Sequence, residues 1–68
     1  MKIEPGTNII FNDTNQRYHV RYITVVITEG PPETVLTCQP EMRSGVTEFK
    51  LSKLAPAIAA GDVEILNG

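Results

Sequence analysis

Residues 17–28, RYHVRYITVVIT, constrain the fold more than any other part of this chain. Side chains alternate between the two faces of a strand with a period of two. Tyr18, Val20 and Tyr22 therefore share one face, and Arg17, His19 and Arg21 share the other. Further along, the phase is reversed: Ile23, Val25 and Ile27 form the apolar set, opposite Thr24, Val26 and Thr28. Such a swap needs an inserted residue or a sharp bend near Tyr22-Ile23, unless the second half is buried on both faces. The bend is the reading adopted. A long strand that changes the face it buries is what a small barrel requires when one strand serves both halves of a closed sheet. On this reading Tyr18, Val20 and Tyr22 are core residues, not a stacking platform for bases.

The flanking segments extend the same pattern. Residues 8–11 form a first strand, and Asn12-Asp13-Thr14-Asn15 supply a tight hairpin from residues that bond their own backbone and tolerate left-handed conformations. Glu29-Gly30-Pro31-Pro32-Glu33 interrupts the sheet, because prolines donate no ladder hydrogen bonds. A third strand over residues 34–39 turns Leu36 and Cys38 inward and ends at Pro40. A fourth over residues 46–51 turns Phe49 and Leu51 inward, with Glu48 and Lys50 outward. Ser52 then offers an N-cap to a short helix with Leu54 and Ile58 on one side. Pro56 is expected to keep it short or split it into a 3₁₀ turn and an α turn, and Gly61 to stop it. Residues 62–66 close the chain with Val63 and Ile65 inward. The fold class expected is mainly all-β: a five-stranded SH3-like barrel with one short helix or 3₁₀ turn before the last strand, residues 1–68 forming a single domain.

Size limits what such a barrel can do. A chain of 68 residues buries only about 60% of its unfolded surface, so most of it must serve the fold, and a deep active site has little room. The longest apolar stretch is far below the roughly 18 residues of a membrane span. The opening MKIEPGTNII lacks the apolar run of a signal peptide. One cysteine, Cys38, allows no internal disulfide, and a small secreted domain usually carries several. A cytoplasmic location is expected.

Catalytic constellations are poor. Cys38 and His19, the obvious nucleophile and base, point to opposite faces by the strand phases. A lone histidine with scattered carboxylates lacks metal-ligand spacing, and neither a glycine-rich phosphate loop nor a GxSxG elbow is present. No enzyme activity, cofactor or metal is expected. The row Arg17, His19, Arg21 is the most specific surface feature. Its donors lie roughly 6.6–6.8 Å apart along the strand, close to the spacing of successive phosphates. An ordinary solvated face, paired across the sheet with Glu48 or Glu64, is the competing account. A net charge of −2 argues against strong nucleic-acid affinity overall, but residues 1–27 carry a net +1. Val26 and the Pro-Pro corner offer a possible protein-docking spot, and open strand edges make self-association credible.

Several segments together carry a resemblance: Gly6, Ile9-Ile10-Phe11, Arg17-Tyr18-His19-Val20, and the run EFKLSKLAPAIAAGDVEIL at 48–66. In spacing and residue type the chain resembles the small N-terminal β-barrel domain of DDE transposases of the Mu and retroviral-integrase superfamily. The resemblance implies a non-catalytic module of a mobile-element or phage protein involved in DNA integration, since no DDE core fits in this length. Arg17, His19, Arg21 and Lys50 would then contact DNA phosphates. The alternative is a protein–protein interaction module with no nucleic-acid role, docking a partner by strand addition or apolar contact.

Overall fold

The computed structural model describes residues 3–67. It contains β1 (Thr7–Phe11), β2 (Gln16–Val26), β3 (Glu33–Pro40), β4 (Thr47–Lys50), α1 (Leu51–Ala60) and β5 (Val63–Asn67). The strands form one antiparallel sheet in the order β4-β3-β2-β1-β5. Four strands meander, and the fifth returns beside the first, as in a Greek key. The mainly all-β class with one helix before the last strand is therefore observed. The barrel is not closed. Its edges, β4 and β5, are joined by α1, which packs against β3, β4 and β5 in the place where closing strand pairs would form. β4 runs into α1 without a loop, so Leu51 opens the helix instead of ending a strand.

The change of phase in β2 is a β-bulge. Val20 pairs with Cys38, but Tyr22 pairs with Thr37, so Arg21 is the extra residue. It lies one residue before the expected position, and that shift matters for Tyr22. Val20 and Ile23 keep the inward face opposite Cys38 and Leu36, while Arg21 and Tyr22 both fall outside them. Tyr22 is 63% exposed, which corrects its assignment to the core.

The inner face gathers Ile9, Tyr18, Val20, Leu36, Cys38, Leu54 and Val63, with Phe11, Ile23, Phe49 and Ile65 packed around them. Tyr18 meets Phe11 and Phe49 edge-on at ring-centroid distances of 5.4 and 5.0 Å, so three rings fill one end of the curled sheet. Thr7 is the buried polar residue here. Its hydroxyl donates to Asn67 Oδ1 and accepts the Glu4 N–H, each at 3.1 Å, which ties the start of β1 to the end of β5. Ile10 is buried on the opposite face, in register between Arg17 and Glu64.

In α1, Leu54 is buried and Ile58 half-buried, as their spacing requires. Ser52 is not the cap: the N-cap position is Lys50, and the Ser52 hydroxyl donates to Glu33 Oε1 at 2.6 Å. Nor does Pro56 split the helix, which is continuous over ten residues. The proline removes one bond, to the Ser52 carbonyl, and both residues lie on the exposed side where water reaches that oxygen. Gly61 terminates the helix at φ 83°. The N–H groups of Gly61 and Asp62 donate to the carbonyls of Ile58 and Ala57, the paired bonds of a Schellman motif.

Candidate nucleic-acid interface

The outer face of β2 displays Arg17, His19 and Arg21, all exposed. Strand register decides their neighbours. His19 lies between Asn8 of β1 and Gln39 of β3, with its Nδ1 3.1 Å from Asn8 Oδ1. Arg21 Nη1 donates to Gln39 Oε1 at 2.7 Å. Arg17 pairs with Ile10 on one side, while on the other the Glu41 N–H donates to its carbonyl at 3.0 Å. Glu48 and Glu64 are each two strands away from β2, roughly 9–10 Å, so neither sits beside this row. Amide side chains are the direct neighbours of His19 and Arg21, and they bond to both without carrying charge.

Lys50 stands apart. It is exposed on edge strand β4, in register with Val35 and then Thr24. Two strands and roughly four residues separate it from His19, about 9–10 Å across and 13 Å along the sheet. The structure brings Arg17, His19 and Arg21 together and leaves Lys50 outside that row.

Two features of the surface were not read from the sequence. The first is Tyr22, delivered to the exterior beside Arg21 by the bulge. The second is Arg43, in the turn after β3, whose Nη2 lies 3.4 Å from the Tyr18 hydroxyl. That hydroxyl donates to Gln16 Oε1 at 3.1 Å, so the rim of the aromatic core is pinned by polar bonds. Arg43, Met42, Arg17 and Gln16 border an open groove of about 300 Å³. A second groove, about 340 Å³, runs past His19, Asn8 and Gln39, and Glu41 lines both. Arg17, Arg43 and Glu41 border these grooves, and Asp13 lies in the hairpin at the same end, so the charge there is mixed. The signal available in the sequence was the pair of loops at residues 12–15 and 41–45, whose shared end of the sheet only the strand pairing reveals.

Cys38 is fully buried on the inner face, away from exposed His19, and burial pushes its thiol up to about 11. A neutral thiol there packs as a small apolar group. Among the described residues no three His, Cys, Asp or Glu side chains gather where they could hold a metal ion. No described helix is long and apolar enough to cross a membrane. No protein-family model matches the chain, and comparisons with curated proteins and with solved structures likewise return no match.

Proposed function

We propose that this chain is a non-catalytic binding module that contacts DNA through the outer face of β2. Arg17, His19 and Arg21 take the phosphates, and Arg43 extends the basic strip at one end. The observation that supports this best is the bulge, which sets exposed Tyr22 beside Arg21 in line with the other cations. Basic side chains next to an exposed aromatic ring are the usual means of gripping a nucleic-acid strand: charge follows the backbone and the ring stacks on a base. The proposed setting is a cytoplasmic mobile-element or phage protein, in the role that N-terminal transposase domains fill, with any chemistry performed elsewhere. Lys50 is left out of the contact set on account of its distance.

Fluorescence anisotropy with labelled single-stranded and duplex oligonucleotides across a salt series tests this. Three arginine contacts give a log–log salt slope of about −2.7 on duplex and about −2 on a single strand. Arg17→Ala and Arg21→Ala should each reduce the slope by about 1. Tyr22→Ala should weaken single-strand binding by about 1–3 kcal/mol at unchanged slope. Absence of binding at low salt, or amide resonances of residues 17–22 that stay fixed on titration, would overturn the proposal.

A further inference from the structure

We propose that the groove beside His19, on the outer face of the sheet, reads one unpaired guanine, with Gln39 and Glu41 taking the pairing edge of the base. This rests on the reading of β2 as a strand-binding face and adds a base preference to it.

The starting observation is a fixed hydrogen-bond polarity. Gln39 Oε1 accepts from Arg21 Nη1 at 2.7 Å. A guanidinium only donates, so the amide oxygen is committed to Arg21 and Nε2 keeps its two N–H donors for a ligand. Glu41 follows two residues later. Leu36, Cys38 and Pro40 are buried, so Gln39 and Glu41 belong to the alternate, outer set. The Glu41 N–H still bonds the Arg17 carbonyl, which carries the strand pairing that far. Both residues line the groove of about 340 Å³ that His19 and Asn8 also border. Same-face residues two apart lie roughly 6.6–6.8 Å apart along a strand, so an amide that donates stands beside a carboxylate that accepts.

That pair selects among the bases. The pairing edge of guanine offers, in order, the O6 acceptor, the N1–H donor and the N2 amino donor. O6 takes a Gln39 N–H, and the two donors meet the two oxygens of Glu41 in a charge-assisted bidentate pair. Adenine, cytosine and thymine each bring the carboxylate at most one donor at this edge, so one of its oxygens stays without a bond. Ligand clefts run from about 300 to 1,000 Å³, and a groove at the small end of that range suits a single base. Of the two aromatic residues lining it, Tyr18 is 7% exposed, so the exposed His19 ring, beside its phosphate contact, gives the base a flat surface. Arg17 and Arg21 lie on either side of His19 along β2 and take the flanking phosphates. In a duplex cytosine occupies the same edge, so the guanine read here is unpaired. A carboxylate next to phosphate contacts repels a strand unless a base bonds to it, and the guanine edge supplies those bonds.

Fluorescence anisotropy of the full chain with labelled single strands of thymidine carrying one central guanine, adenine or cytosine tests this. The guanine strand should bind roughly tenfold more tightly than the others, and its duplex form should show no such preference. On titration with the four deoxynucleoside monophosphates, dGMP alone should move the Gln39 side-chain and Glu41 backbone resonances. Glu41→Gln should weaken the guanine strand by a similar factor while tightening the others, because a like charge is removed. Were Glu41 only a partner for Arg17 across the strands, that variant would tighten every strand alike, and such a result overturns the inference. Strands bound without base preference also overturn it and leave the strand-binding reading intact. Selective dGMP shifts with no strand binding uphold the guanine site and overturn that reading, and the absence of both overturns both.

Discussion

Tyr18 and Tyr22 share a residue type and an apparent phase in the sequence, yet the bulge at Arg21 gives them opposite fates, and mutation should separate them. Tyr18 is 7% exposed and packs edge-on against Phe11 and Phe49. Truncating such a ring leaves a cavity and costs about 3–5 kcal/mol, of which each edge-to-face pair contributes about 0.5–1.5 kcal/mol. A single core of this size rarely supplies more than about 3–5 kcal/mol, so Tyr18→Ala should be largely unfolded. Tyr22 is 63% exposed. Full burial of a large apolar side chain is worth about 1.5–3 kcal/mol, and the remaining third of that sets the cost of Tyr22→Ala at about 0.5–1 kcal/mol. Tyr18→Phe provides a folded comparator. It keeps the ring and removes the hydroxyl that bonds Gln16 and Arg43, costing about 0.5–1.5 kcal/mol. Urea titration followed by far-UV circular dichroism measures all three. A Tyr22→Ala variant as unstable as Tyr18→Ala would refute the position of the extra residue, and with it the exposed Tyr22 on which the nucleic-acid proposal relies.

The helix and the buried thiol offer further tests. Gly61→Ala forces a side chain into a left-handed conformation at φ 83° and should lower stability by about 1–2 kcal/mol, read as a shift in the urea midpoint. Pro56→Ala restores the missing helical N–H and should raise stability by about 1–3 kcal/mol, seen as a higher melting temperature. The Cys38 thiol has its pKa raised from 9.0 to about 11 by burial, so the unfolded chain loses that proton first. Its contribution to stability is complete below pH 9.0 and is lost as pH rises toward 11. Urea midpoints across that window should fall more steeply for the natural chain than for Cys38→Ala. Equal slopes would show that the thiol is not shielded.

Reversal of phase in β2 was readable because Val20 and Ile23 are apolar, an odd number of residues apart, and the inward face must be kept. Which intervening residue is extra was not readable. Tyr22 carries both a ring that packs and a hydroxyl that tolerates water, so either position satisfies the pattern. The choice lies in backbone bonds to Thr37, a contact distant in sequence. Ser52 misled for a similar reason. A serine near a helix start suits a cap, but here its hydroxyl meets Glu33 from another strand, and the chain enters the helix with no loop. The row Arg17, His19, Arg21 followed from alternation alone. Arg43 and the groove it borders depend on two turns meeting at one end of the sheet, which no local pattern encodes. Barrel closure likewise depends on β4 and β5, the pair with the fewest cues in common.

The bond between Thr7 and Asn67 brings the first and last strands out at the same corner. A tether attached there would pull on β1 and β5 in the geometry of a zipper, opening their rungs one by one at low force instead of shearing them together. The same adjacency means that this unit can be spliced into a surface loop of a host protein, both attachment points lying within one strand spacing.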